Sequence, residues 1–101
     1  MKVRLLPAAR QRLLEIWDYT ARTWGIEQAD KYLSELDTHL NRLPTDRTSW
    51  RAPLAAVPGV RFSRFKSHYV FFRELPSGDI GVITILHEKM DLPRRFSEDN
   101  R

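Results

Sequence analysis

Residues 59–90 read GVRFSRFKSHYVFFRELPSGDIGVITILHEKM, and this stretch decides the fold. Its two runs of aromatic and β-branched residues favour strands, and the turn-forming segment Leu75-Pro76-Ser77-Gly78-Asp79 separates them. Basic side chains are interspersed with apolar ones in the first run. Part of one face of the sheet should therefore carry positive charge, while the other face buries aromatic rings. The stretch predicts an antiparallel meander of two or three short strands.

Two helical patterns precede the meander. Apolar residues recur at helical spacing over residues 9–24, after Pro7, and again over residues 29–43, before Pro44. Gly25 ends the first pattern and leaves only a short connection, so the two helices should run antiparallel as a hairpin. The aromatic residues of this hairpin are expected in the core rather than in a binding site; they are Trp17, Trp24 and Tyr32.

The remaining segments complete an α+β plan. Residues 2–6 alternate basic and apolar side chains, which predicts a short N-terminal edge strand. The helical hairpin then packs on one face of a small antiparallel β-sheet and leaves the other face open. Between Pro44 and Pro58 an irregular crossover is expected, with Trp50 and Arg51 fastening it to the body.

The length and composition set the outer limits. The chain of 101 residues has room for one domain, residues 1–101, and residues 96–101 are expected to form a frayed tail. It lacks cysteine and a signal-peptide pattern near its start, which predicts a cytoplasmic protein without disulfides. The formal net charge is +4. The excess is regional, because one acid, Asp46, stands against seven bases in residues 42–73: Arg42, Arg47, Arg51, Arg61, Arg64, Lys66 and Arg73.

Several fragments together resemble the ParE toxins. They are Leu5-Leu6-Pro7-Ala8-Ala9, Leu14-Glu15-Ile16-Trp17-Asp18-Tyr19, Trp24-Gly25, Ala29-Asp30-Lys31-Tyr32, Pro58-Gly59-Val60-Arg61 with Arg64, His68-Tyr69-Val70-Phe71-Phe72-Arg73, Ile85-Leu86-His87-Glu88 and Met90-Asp91-Leu92-Pro93. The resemblance implies the fold of the RelE and ParE toxins, a cognate ParD-like antitoxin encoded beside the chain, and inhibition of DNA gyrase. Leu6, Trp50 and Lys66 depart from the family pattern.

The resemblance and the charge pattern together predict two sets of contact residues. The set expected to bind the target consists of Arg61, Arg64, Lys66, Arg73, Arg94 and Arg95. The set expected to bind the antitoxin consists of Arg51, Arg64, Tyr69, Phe71, Arg73 and His87. Direct sequence-specific DNA binding by the toxin alone is not expected, and neither is a membrane partner.

The alternative is a RelE-like nuclease that cleaves messenger RNA on the ribosome. Such chemistry needs a base, an acid and cations against the developing phosphorane charge. The groups that could fill these roles are Arg61, Arg64, Lys66, His68, Tyr69, Arg73 and His87. Nucleases of this kind usually carry an acid–base group near the chain end, and this chain has no tyrosine after Tyr69. The prediction is therefore an inhibitor that acts by binding.

No cofactor or metal is expected from the motifs. His39, His68 and His87 do not have the spacing of metal ligands, and the chain has no cysteine and no glycine-rich phosphate loop. His68 and His87 are instead expected to form hydrogen bonds within the sheet. Asp91 is expected to hold the tail by accepting hydrogen bonds from backbone or arginine groups.

Overall fold

The computed structural model describes residues 2–52 and 57–100. The order of elements is β1 (Val3–Leu5), α1 (Pro7–Trp24), α2 (Ile26–Arg42), a 3-10 turn (Arg47–Ser49), β2 (Val60–Phe65), β3 (His68–Glu74), β4 (Ile80–His87) and α3 (Leu92–Asp99). The strand and helix patterns of the sequence are thereby confirmed. No helix of the described residues is long and apolar enough to cross a membrane.

The sheet has the strand order β1-β4-β3-β2, and β2, β3 and β4 form the predicted antiparallel meander. β1 lies at one edge, as predicted, but it pairs parallel with β4, in the register Val3 to Ile80. The sheet is therefore mixed rather than wholly antiparallel. Sequence did not show this, because side chains alternate between the two faces in the same way whichever direction a strand runs.

The helical hairpin covers one face of the sheet and forms the larger core with it. Pro7 begins α1, and Gly25 ends it at a φ of +98°, a conformation that glycine adopts readily. Leu36, Leu40 and Phe72 are among the fully or almost fully buried residues of this core. We call this side of the sheet the hairpin face.

The prediction that the aromatic residues of the hairpin lie in the core is wrong for Trp24. Trp17 is half-buried and donates a hydrogen bond from its indole to Asp30 at 2.9 Å, and Tyr32 is half-buried against the core. Trp24, however, is 71% exposed. It is the last residue of α1 and lies beside the turn at Gly25, where too little of α2 remains to cover it.

A helix replaces the predicted frayed tail and covers part of the face that was expected to be open. In α3, Asp91 caps the helix by accepting from the backbone N–H of Arg94 at 3.4 Å, in line with its predicted role. Phe96 is buried, with its ring centroid 5.0 Å from that of Phe71. The tail is ordered because this apolar anchor has a hydrophobic sheet surface to pack on, together with Val60, Ile83 and Leu86. We call this side of the sheet the outer face.

The crossover after α2 is fastened as predicted. The indole of Trp50 donates to the carbonyl of Leu43 at 3.0 Å, and its ring lies 4.9 Å from that of Phe72. Arg51 exchanges two backbone hydrogen bonds of 2.8 Å with Phe62, which extends the sheet past β2 by one residue pair. Residues 53–56 of the crossover lie outside the described residues.

Candidate functional site

Two concave surfaces lie on opposite faces of the sheet. The first, which we call the outer groove, has a volume of about 740 Å³. Its floor consists of Phe62, Tyr69 and Phe71, and α3 forms one wall through Leu92 and Phe96. The three rings come together because side chains two residues apart share a face and β2 pairs with β3. The ring centroids of Phe62 lie 5.5 Å from Tyr69 and 5.9 Å from Phe71.

Arginines stand at both ends of this aromatic floor. The guanidinium of Arg64 lies 5.5 Å from the ring centre of Tyr69 and forms an ion pair with Glu88 at 2.6 Å. Arg73 is opposite Val60 in the register and is exposed. Within residues 2–52 and 57–100, no carboxylate forms an ion pair with Arg51, Arg61 or Arg73. The aromatic floor of the outer groove is thus bordered by two arginines: Arg64 is paired with Glu88, whereas Arg73 has no ion pair with a described carboxylate. Asp91 is the one acid among the described residues that line the groove itself.

The structure divides the predicted contact residues between surfaces. Arg64, Tyr69, Phe71 and Arg73 lie together on the outer face, although Phe71 is almost completely buried and serves as floor. Lys66 and His87 line the second concave surface, on the hairpin face. The twelve assignments therefore do not define one continuous surface, because strand alternation and the turn after β2 send neighbouring residues to different faces.

The remaining predicted contact residues are peripheral. Arg94 and Arg95 lie on α3, are exposed, and both have Glu98 as an ion-pair partner. Arg61 donates to the carbonyl of Val60 at 2.9 Å, and Arg51 donates to the carbonyl of Thr48 at 2.8 Å. Phe62 was missed as a contact residue, although Arg64, two residues further along β2, shares its face and would have assigned it to the charged side.

The second surface, which we call the hairpin groove, has a volume of about 920 Å³ and lies between the helices and the ends of β3 and β4. Tyr19 and Trp24 form its exposed aromatic wall, and Tyr32, His68 and His87 lie deeper. Sequence reasoning missed this groove because Trp24 was assigned to the core. Tyr19 did give a signal, since it falls off the apolar stripe of α1.

Lys66 stands at the edge of the hairpin groove in an uncommon backbone conformation. Its φ is +51°, which non-glycine residues rarely adopt. The ammonium lies 2.6 Å from a Glu35 oxygen and 5.3 Å from the ring centre of Tyr32. These contacts hold the charge of Lys66 against α2. Lys66 is one of the residues that depart from the family pattern, and the contacts fix its position at this turn.

His68 is neutral at physiological pH because of its surroundings. Burial is the larger cause and the neighbouring His87 the second, and together they lower the pKa of His68 to about 4. Its Nδ1 lies 2.6 Å from the hydroxyl of Tyr32, on α2. His87 Nδ1 accepts from the backbone N–H of Lys89 at 3.1 Å. The expectation that both histidines bond within the sheet is therefore wrong: one reaches the helix and the other a turn.

This environment predicts that the protein loses stability on mild acidification. The folded-state pKa of His68 lies below its ordinary value of 6.5, so the unfolded chain binds the proton first and stability falls as the pH drops from about 6.5 to 4. Burial also lowers the pKa of His39, which acts in the same direction. After solvent screening of the half-buried ring, we expect a loss of about 1–2 kcal/mol from His68 over this window.

Urea unfolding at pH 7 and pH 5 measures this effect. The comparison is between the natural protein and His68→Gln, which cannot be protonated in this range. The variant should show a smaller loss of unfolding free energy between the two pH values. An unchanged difference would mean that His68 is not the group whose protonation is linked to folding.

The described residues contain no group of three or more histidine, aspartate or glutamate side chains placed to hold a metal ion. What the two grooves offer chemically is apolar contact, aromatic surface and positive charge. Lys66 and Arg64 are each engaged with a carboxylate, which favours recognition over acid–base work at those positions.

Solved structures of toxin–antitoxin systems share this fold. One, described as the chromosomal ParDE TA system from P. aeruginosa, matches with a TM-score of 0.72 at 21% identity and covers 86% of this chain and 95% of that one. Another, the toxin–antitoxin complex RelBE2 from Mycobacterium tuberculosis, matches with a TM-score of 0.58 at 14% identity, covering 85% and 88%. The α+β architecture is therefore shared with solved ParDE and RelBE toxin–antitoxin structures.

Sequence comparison narrows this class to one family. The model of the "ParE toxin of type II toxin-antitoxin system, parDE" matches residues 3–92. Toxin ParE1 of Mycobacterium tuberculosis is 40% identical over 92 residues, which are 91% of this chain and 94% of the relative. Toxin ParE of Escherichia coli is 32% identical over 94 residues, 93% and 91% of the two chains. The chain belongs to the ParE family of type II toxins.

Proposed function

We propose that this ParE-family toxin arrests growth by binding and inhibiting DNA gyrase, and that a ParD-like antitoxin neutralises it. The observation that carries the proposal is the outer groove, an aromatic floor with Arg64 and Arg73 at its ends and Arg51 nearby. A surface of this kind is suited to a protein partner, because aromatic and arginine side chains supply most of the energy at protein interfaces.

The antitoxin segment that fits the outer groove is acidic with apolar anchors. Its apolar side chains would cover Phe62 and Tyr69, and its carboxylates would meet Arg51 and Arg73, which form no ion pair with described carboxylates. Such a segment can be disordered when free and fold as it binds. His87 belongs to the set of residues predicted to bind the antitoxin, but it lies on the hairpin face. A second part of the same antitoxin would have to contact it there.

Target contacts are proposed for the basic strands and α3. Arg61, Arg64, Lys66 and Arg73 belong to the meander and its turn, and Arg94 with Arg95 extends the positive surface onto α3. Arg64 and Arg73 are then shared between gyrase and antitoxin. Sharing gives neutralisation a simple mechanism, since an antitoxin that covers these residues excludes the target.

Inhibition by binding, rather than by nuclease chemistry, is supported by the state of the candidate catalytic groups. The neutral His68 lies 2.6 Å from the Tyr32 hydroxyl, and the ammonium of Lys66 lies 2.6 Å from Glu35. A phosphorane-like transition state requires cations that are aimed at the reacting phosphate. In this geometry Lys66 faces a carboxylate of its own chain.

The direct test is gyrase supercoiling of relaxed plasmid with increasing amounts of purified toxin. Inhibition should reach a constant level at each toxin concentration and not grow with time, because a binder acts by occupancy and does not turn over. Arg64→Ala combined with Arg73→Ala should raise the half-inhibitory concentration about 5- to 30-fold, since each such contact contributes roughly 1 kcal/mol or less. Adding the antitoxin encoded beside the toxin should restore supercoiling.

Arg22→Ala is the matched control, because Arg22 is an exposed arginine on α1 whose partner is Asp18 and which lines neither groove. This variant should inhibit like the natural toxin. Growth arrest with normal supercoiling would reject gyrase as the target. Defined cleavage of ribosome-bound messenger RNA that is lost in Lys66→Ala, His68→Ala or His87→Ala would establish the nuclease instead, because removing a catalytic group costs about 10² to 10⁴ in rate.

A further inference from the structure

The hairpin groove carries aromatic surface that the fold does not use. Tyr19 is 68% exposed and Trp24 is 71% exposed, and both line this groove. Large rings of this kind dominate the energetics of cores and interfaces, so two of them left open in one groove indicate a ligand that stacks on them.

Positive charge accompanies these rings. Lys89 lines the groove, is exposed, and forms no ion pair within the described part of the chain. Lys66 also lines the groove, with its ammonium engaged by Glu35 at 2.6 Å. Glu15 is the one acid among the described lining residues, and Arg12 lies 3.4 Å from it. The groove therefore attracts anions.

The exposed lining lacks the aliphatic row that an amphipathic protein helix requires. Ile16 and Ile85 line the groove but are buried, and Met90 is the remaining aliphatic side chain among the described lining residues. Thr20, Gln28 and Ser67 supply hydrogen-bonding groups beside the rings. Aromatic platforms, lysines and polar groups are the combination that binds unpaired bases together with their phosphates. A helix in a groove instead needs apolar anchors at successive turns.

We propose that the hairpin groove binds single-stranded nucleic acid without sequence specificity. Unpaired bases stack on Trp24 and Tyr19, and a backbone phosphate meets Lys89. The volume of about 920 Å³ is that of an ordinary ligand site, so the groove accepts a few unstacked nucleotides. Duplex nucleic acid is excluded because its bases are already paired and stacked. This proposal does not depend on gyrase being the target.

Fluorescence anisotropy of labelled ten-residue thymidine and uridine oligonucleotides with the purified toxin alone tests the site. DNA and RNA are separate arms, and a duplex of the same length is the third. Trp24→Ala and Tyr19→Ala should each weaken single-strand binding about five-fold or more, because a base stacked on an aromatic side chain is lost. Lys89→Ala should lower the slope of log K against log salt by about 0.7, the value for one phosphate contact on a single strand.

Ile26→Ala and Lys31→Ala are the controls, because both side chains are exposed on α2 and neither lines the groove. They should bind like the natural toxin. Absence of oligonucleotide binding at 50 mM salt (a low-salt condition in which phosphate contacts are strongest), equal duplex binding, or equal losses in the controls would each overturn the proposal. So would loss of antitoxin capture in Trp24→Ala without any oligonucleotide binding, which would make the groove a protein-docking site. Gyrase is absent from this assay, so its result is read independently of supercoiling inhibition.

Discussion

Replacing Asp99 with alanine is expected to lower the free energy of unfolding by about 3 kcal/mol. Asp99 Oδ2 accepts from Arg12 Nε at 2.9 Å and from the Thr84 hydroxyl at 2.8 Å. The side chains of Arg12 and Asp99 are only 13% and 14% exposed. Removal of the carboxylate leaves a largely buried guanidinium without its main partner, and it releases the end of α3 from α1 and β4.

The electrostatic balance at Arg12 supports this expectation. Burial alone disfavours the charged form, but the hydrogen bond and charge of Asp99, followed by the charge of Glu15, outweigh it and raise the pKa of Arg12. Without Asp99 this stabilisation is lost, yet the guanidinium stays charged, because an arginine side chain does not lose its proton in proteins. Arg12→Met combined with Asp99→Leu, which removes both charges, should recover much of the loss, since breaking one half of a buried pair costs more than replacing the whole pair.

Urea unfolding of the natural protein and the two variants, together with amide hydrogen exchange of α3, measures the effect. Asp99→Ala should expose the amides of α3 to exchange while the amides of β3 and β4 stay protected. A loss below about 1 kcal/mol, with α3 still protected, would show that the apolar contacts of Phe96 and Leu92 hold the helix without the ion pair.

Sequence predicted the meander and the hairpin because both depend on local patterns that burial enforces. Side chains within β2 and within β3 alternate between the two faces of the sheet, and the stripe from Ala29 to Leu43 coincides with the buried side of α2. The turn between β3 and β4 was also predicted correctly. The backbone N–H of Leu75 donates to the carbonyl of Asp79 at 2.7 Å and closes this connection. These features require no knowledge of distant parts of the chain.

The features that sequence missed depend on tertiary contact. α3 has one buried residue, Phe96, in a polar segment, and the contact of Phe96 with Phe71 forms only once the sheet exists. Trp24 has the spacing of a core residue but lies at the hairpin turn, beyond the cover of α2. The parallel direction of β1 likewise leaves no trace in a strand of three residues.

The candidate site was predictable in part for the same reason. Arg64, Tyr69 and Arg73 could be placed on a charged strand face, because strand alternation is local. The separation of Lys66 and His87 onto the hairpin face depends on the turn after β2 and on the pairing of His68 with His87. The hairpin groove consists of residues from four elements, so no single stretch of sequence could indicate it.

Phe72→Ala is expected to lower the free energy of unfolding by about 3–5 kcal/mol. Phe72 is fully buried in the core between the hairpin and the sheet, and the ring of Trp50 packs edge-on against it. Truncation removes the ring and leaves a cavity beneath the crossover. Domains have only about 5–15 kcal/mol of stability in total, so this loss is a large part of it.

Trp50→Phe is the matched comparison, because it keeps an aromatic ring against Phe72 but removes the indole donor to the carbonyl of Leu43. It should cost about 1 kcal/mol, the net contribution of one hydrogen bond. Thermal unfolding and denaturant titration of both variants give the two values. A cost for Phe72→Ala below that of Trp50→Phe would mean that the crossover, rather than the sheet core, limits stability. The crossover carries Arg51 to the edge of β2, so its release would also disturb the outer groove.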